Sequence, residues 1–227
     1  MKFIAIVLLP ALILAGCSTS NSTGNTSAAS PGLANAGNSA TDILATPTIQ
    51  QPIQIVVKAY PNSDYKQVNA SFYTNKSKTQ AFKVISNLAL TKQWFDRLDK
   101  IETLAIRTNN DFVIRSIITS PWPFKDRELI SCVHTQFKED IITIDISNCS
   151  FEQPINQRLV RVEHAQSNWK IQQLDNNLVK INYQAWIDPA GNVPSKFFNL
   201  SLVHSTRQSM QALQQILQSN EQSDSYY

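Results

Sequence analysis

The stretch "SPWPFKDREL", residues 120–129, decides how the rest of the chain is read. Two prolines bracket Trp122, and Lys125, Asp126, Arg127 and Glu128 stand in one run before an apolar strand pattern. Four adjacent charges are a catalytic cluster, a binding patch or the start of a strand. Pro121 and Pro123 fix φ and remove backbone donors, so regular pairing stops there. Trp122 and Phe124 are expected to pack the turn against the body of the protein. From Asp126 on, the side-chain period of two sends Asp126 and Glu128 to one side and Arg127 to the other. The stretch is therefore read as the start of a strand. Glu128 is expected to face solvent. Arg127 is expected to pair with a neighbouring acidic group and to be structural.

The flanking sequence continues that pattern. Strand signals run over 101–107 and 111–119 before the stretch, and over 127–137, 141–148, 158–165, 168–174 and 178–187 after it. Turn-like segments separate them, and loops this short favour antiparallel hairpins. Two further strands, 53–60 and 67–74, flank a turn at Pro61 to Asp64. Ser77 is read as the cap of a helix carrying Ala81, Phe82, Ile85 and Leu88, and Thr91 as the cap of a short second helix through Trp94, Phe95 and Leu98. The chain closes in a helix over 194–219. Pro194 suits its first turn, and Phe198, Leu202, Leu213 and Ile216 form its apolar stripe, which Phe197, Leu200 and Val203 widen. The expected fold is α+β: a curved antiparallel sheet of about nine strands wrapped around the long C-terminal helix. A curved sheet closed by one helix encloses either a filled core or an apolar pocket.

The ends of the 227-residue chain point to a compartment. Met1-Lys2, a 12-residue apolar run over 3–14, then Leu14-Ala15-Gly16-Cys17 describe a signal peptide over 1–16. The run is shorter than the ~20 residues that a membrane-spanning helix needs. The cysteine directly after Leu-Ala-Gly resembles the lipobox of bacterial lipoproteins, which implies acylation at Cys17. Ser18 in place of Asp points to the outer membrane, facing the periplasm. Residues 17–52 are read as the lipidated cysteine and a flexible tether, rich in Ser, Thr, Asn, Ala and Gly. A folded domain follows over 53–219, and 220–227 is a polar tail. Net charge is +3, or +2 once Lys2 is removed with the signal peptide, too little and too scattered for nucleic acid.

Three segments in order resemble the START domain, the StAR-related lipid-transfer domain of the helix-grip fold. They are "TKQWFDRLDKIETL" (91–104), "PWPFKDRELI" (121–130) and "AWIDPAGNVPSKFFN" (185–199). Glu128 and Ala190 depart from the Asp and Gly common in that family. The resemblance implies a tunnel for one lipid or other hydrophobic molecule between sheet and last helix, with no chemistry done there, no cofactor and a monomer. Some animal members bury a charged pair in the tunnel. Matching through Arg127 puts those positions near Ile114 and Val133, which makes this pocket more apolar. On strand 127–137, Leu129, Ser131, Val133 and Thr135 share the face assigned inward. On the late strand Val179, Ile181, Tyr183 and Ala185 alternate with Lys180, Asn182 and Gln184. Phe198, Leu202 and Thr206 are placed on the helix face toward the sheet.

Rival chemistries find weaker support. His134, His164 and His204 are far apart, and Cys132-x-His134 has no third ligand nearby, so a zinc site is not expected. Only five glycines are present, with no phosphate-binding loop, dinucleotide fingerprint or nucleophile elbow. Asp111, Glu128, Asp145 and Glu163 alternate with apolar neighbours and are read as outward, which argues against a pocket enzyme of the cyclase or hydrolase type. A hairpin centred on Glu139 sets Cys132 opposite Ile146, so a Cys132–Cys149 bridge requires a shifted turn or a bulge. Free, half-buried thiols are the alternative, and the oxidising compartment leaves pairing open. Besides a lipid-binding lipoprotein, the sequence allows a structural or interaction lipoprotein whose interior is plugged by Tyr183, Trp186, Phe197 and Phe198.

Overall fold

The computed structural model describes residues 52–219. The signal peptide, Cys17, the tether up to residue 51 and the tail over 220–227 lie outside the described residues. The strands are β1 (Gln54–Tyr60), β2 (Ser63–Thr74), β3 (Leu98–Ile106), β4 (Asp111–Ile118), β5 (Arg127–Phe137), β6 (Ile141–Asn148), β7 (Val160–Val162), β8 (His164–Asp175) and β9 (Leu178–Asp188). The helices are α1 (Lys78–Ser86), α2 (Leu88–Trp94) and α3 (Ser195–Ser219). Eight strands run antiparallel in the order β1-β2-β9-β8-β6-β5-β4-β3, and short β7 joins β5 in parallel. The α+β helix-grip architecture expected from the sequence is the one observed, with α3 packed across the sheet.

Local chemistry explains most of the element boundaries. Ser77 caps α1 in a capping box: its Oγ accepts from Gln80 N–H, and the Gln80 side chain accepts from Ser77 N–H. The second cap is Asn87, not Thr91. Asn87 Oδ1 accepts from the N–H groups of Ala89 and Leu90, so α2 opens four residues earlier than expected, and Thr91 is buried inside it. Leu98 belongs to β3, because the chain leaves the helix at Phe95 and turns through Arg97 at φ 61°. The expected break at Ser167 is absent, and β8 runs unbroken from His164.

Inward-facing residues form rows across the sheet. Phe72, Ile181, Ile171 and Ile142 stand side by side on β2, β9, β8 and β6, each 3% exposed or less. Met210, Leu213 and Leu217 of the second half of α3 close over the core they belong to, together with Ala81, Val84 and Ile85 of α1. Each such fully buried aliphatic stabilises by ~1.5–3 kcal/mol relative to leaving it exposed. The next row, Tyr183, Trp169, Ile144 and Thr135, marks where solid packing stops.

A candidate ligand cavity under the last helix

Beyond that row lies a cavity of about 570 Å³ between the first half of α3 and the sheet. Its existence follows from residue size. Ala185 on β9, Ala165 and Ser167 on β8, Ser131 on β5 and Ser116 on β4 all line it. Small side chains at five inward positions leave space that Leu or Phe would fill in a close-packed core. Apolar groups make up most of the remaining wall, including Phe112, Ile114, Val133, Ile146, Phe198 and Leu202. The cavity runs under α3 from the α1–α2 pair to the 119–126 loop and the β9–α3 turn.

Seven of the nine pocket residues named from the sequence border this space: Ile114, Leu129, Ser131, Val133, Tyr183, Phe198 and Leu202. Thr135 and Thr206 do so as well. Val179 and Ile181 do not. They point to the same side of β9 but sit deeper than the Tyr183 row, Ile181 by one row and Val179 by two, fully buried in packed core. Period-2 alternation assigns a face, and it does not say where along the strand the packing opens. Ser116, Ala165, Ser167, Trp94 and Trp169 line the cavity and were not singled out. The recurrence of small residues on inward positions was the available signal.

The aromatic wall is ordered. Trp169 lies 4.4 Å from Tyr183 in a tilted stack and meets Trp94 edge-on at 5.7 Å. Burial raises the Tyr183 phenol pKa well above its ordinary value, so the hydroxyl stays protonated at any physiological pH. Asp96, near one side of the lining, accepts from Ser205 Oγ at 2.6 Å, and its backbone N–H donates to Ser209 Oγ at 2.9 Å. Both bonds tie α3 to the segment between α2 and β3.

The opening stretch is placed differently from its expectation in three respects. Glu128 points away from the cavity but is only 1% exposed. Arg115 Nε donates to its Oε1 at 2.6 Å, and Arg161 donates to its Oε2 through Nε at 3.0 Å and Nη2 at 2.6 Å. The segment over 149–159 lies nearby, held by Arg161 through the carbonyls of Gln153 and Pro154, at 3.0 and 3.2 Å. Burial pushes the Glu128 pKa up, but the bonds from Arg161 and Arg115 outweigh it, and the net shift is downward. Arg127 is buried without an acidic partner in hydrogen-bond range. It donates to the carbonyls of Pro189 (3.1 Å), Ala190 (3.3 Å) and Lys125 and to Ser120 Oγ (3.1 Å). One guanidinium thus fastens the 119–126 loop to the β9–α3 turn. Trp122 does not pack the turn: it is 92% exposed, and Phe124 alone turns in, 6.3 Å from the Phe197 ring.

The remaining candidates are settled by register. Asp111 is on the outer side, accepting from Thr108 Oγ1 at 2.6 Å and pairing with His134. The hydrogen bonds from Thr108 and His134 lower its pKa. Asp145 accepts from Asn168 Nδ2 at 2.6 Å on an exposed face, and Glu163 is exposed. No group of three or more His, Cys, Asp or Glu among the described residues is arranged to hold a metal. Cys132 and Cys149 form a disulfide, Cα to Cα 5.5 Å. The turn between β5 and β6 holds two residues, Glu139 and Asp140, closed by the Lys138–Ile141 bonds. That pairs Cys132 with Ser147 and leaves Cys149 beside Ile130, on the diagonal to Cys132, within bridging reach.

Comparison with solved structures agrees with the architecture. A STAR-related lipid transfer protein from Xanthomonas axonopodis superposes with a TM-score of 0.66 at 21% identity, over 73% of this chain and 93% of the other. Human StAR-related lipid transfer protein 5 gives 0.67 at 13% identity, over 73% and 82%. A Streptomyces aromatase/cyclase is less similar, at 0.50 and 12% identity, over 67% and 93%. No protein-family model and no curated protein sequence matches the chain. The chain therefore has the START helix-grip fold.

Proposed function

We propose that the protein binds one lipid or other hydrophobic small molecule in the cavity under α3. The carrying observation is the cavity itself: about 570 Å³ of largely apolar-walled space where a filled core would leave none. That volume falls within the ~300–1,000 Å³ of small-molecule sites. The solved structures of the same fold include two named lipid transfer proteins, which supports lipid binding or transfer. The role is binding rather than catalysis. Of the three charged residues lining the cavity, Asp96 is engaged by Ser205 and faces Arg97 at 3.5 Å, and Arg127 is held by four oxygens, so none stands ready as acid or base. The open volume speaks against the plugged alternative, as do Trp186, which stacks on Tyr60 at 3.9 Å and donates its indole N–H to Tyr65 O at 3.0 Å, and Phe197, which is half-exposed.

The working place is the bacterial envelope, with the chain acting as a monomer held to the outer membrane by acyl groups on Cys17. The Leu-Ala-Gly-Cys sequence over 14–17 supports this. Several acyl chains anchor stably, since each buried CH₂ contributes ~0.8 kcal/mol. Uptake of a fluorescent pyrenyl lipid, compared between the wild type and Ala185→Trp, tests the cavity. Saturable binding by the wild type and its loss in the folded variant are expected. Equal binding by both places the lipid elsewhere and overturns the proposal.

A further inference from the structure

Two polar groups of the aromatic wall line the cavity without a hydrogen-bond partner among the described residues: the hydroxyl of Tyr183 and, beside Trp169, the buried indole N–H of Trp94. Tyr65 Oη donates to Val193 O at 2.9 Å, and Tyr60 Oη accepts from Gln166 at 3.0 Å. Tyr183 Oη has no hydrogen-bond partner among the described residues, although its ring packs in the boundary row against Trp169. Tyr183 is half-buried and borders the cavity, and a hydroxyl on a largely apolar wall is normally satisfied, so this one is open to a partner from outside the chain. The rest of the wall narrows what that partner is. Ser116, Ser131, Thr135 and Ser167 add only neutral hydroxyls, Arg97 is paired with Asp96 at 3.5 Å, and Arg127 spends its donors on loop oxygens. An ionised group carried this deep would meet no counter-charge and would lose its hydration.

We propose that the ligand is an uncharged lipid whose inner end carries a hydroxyl or carbonyl oxygen, and that this oxygen accepts a hydrogen bond from Tyr183 Oη. The inference rests on the lipid-binding role proposed above. The Trp169–Tyr183 stack supplies a flat apolar surface beside the oxygen, on which the hydrocarbon part of the ligand lies. Tyr183 thereby sets which end of the molecule enters first.

Three fluorescent probes with one pyrenyl-alkyl body test this: an alcohol, a plain hydrocarbon and a carboxylate at the far end. Binding is titrated with the full-length protein and with Tyr183→Phe, alongside thermal unfolding of both without probe. The wild type is expected to bind the alcohol about tenfold tighter than the hydrocarbon, the worth of one well-made neutral hydrogen bond. The carboxylate is expected to bind less tightly than the alcohol. Tyr183→Phe is expected to erase the alcohol's advantage, leave hydrocarbon binding unchanged and keep the wild-type melting temperature. An alcohol preference retained in Tyr183→Phe, or a carboxylate bound tightest, overturns the assignment. Uptake of the hydrocarbon with no gain for the alcohol overturns it while sparing the lipid-binding role. No uptake of any probe overturns both.

Discussion

At the scale of single residues, the four charges that open the β5 region split into two jobs. Glu128 is buried between two arginines that themselves reach solvent, at 18% and 21% side-chain exposure. Removing the charge leaves both guanidiniums facing an uncharged buried amide. Glu128→Gln is expected to cost about 3 kcal/mol, the low end for breaking a buried pair because each arginine can rehydrate. The pH dependence has a definite sign. Because the folded pKa of Glu128 lies below the ordinary carboxylate value, its contribution is full above that ordinary value and fades as pH falls through the folded pKa. Denaturant midpoints should therefore separate the wild type from Glu128→Gln at neutral pH and converge in acid. Ala190 sits at φ 55° beside Gly191 at 67°, in the left-handed region. That conformation costs ~1–2 kcal/mol for a residue with a Cβ. Glycine's extra freedom in the unfolded chain takes back ~0.4–1 kcal/mol. Ala190→Gly should thus raise stability by about 0.5–1 kcal/mol in thermal unfolding. The sequence alone placed Arg127 and Glu128 on opposite faces correctly. It missed the burial of Glu128, because alternation names a side but not the later segment that covers it.

At the scale of elements, the disulfide explains how that cover is held. It links β5 to the residue after β6, across 17 positions, at the root of the 149–159 segment that Arg161 also grips. In the loop-entropy account, a closed loop of this size contributes ~3 kcal/mol. Replacing both Cys132 and Cys149 by Ser should lower stability by about that much. Hydrogen exchange should show protection lost first over 149–162 and least in β8 and β9. Uniform loss across the sheet would mean that the bridge acts only on the unfolded chain. Helix α3 carries two different jobs along one stripe. Its second half seals core through Met210, Leu213 and Leu217, and its first half covers the cavity through Phe198, Leu202 and Thr206. Periodicity revealed the stripe, since 3.6-residue spacing is a local property. It could not divide the stripe, because that depends on which strand residues lie opposite. The missed cap at Asn87 has a similar cause: Thr91 and Asn87 are both good capping residues, and only the backbone decides between them.

At the scale of the whole molecule, the cavity exists because five inward positions on four strands hold Ala or Ser. Enlarging one of them tests whether the space is tolerated emptiness or a site. Ser131→Leu should preserve or raise the melting temperature, since it fills a void, and should weaken ligand uptake. A strongly destabilised variant would mean that the wall is already close-packed there. The fold was legible from strand alternation, turn spacing and three motif segments. The volume was not, because filling is a sum over side chains that meet only in three dimensions. The central claim is that the cavity holds a lipid. Native mass spectrometry of the full-length protein, purified gently from the cells that make it, reads this directly. The account predicts a mass increment of one lipid molecule per chain, released on unfolding and missing from Ala185→Trp. A wild-type spectrum with no bound lipid, together with no uptake of added lipid, would contradict it.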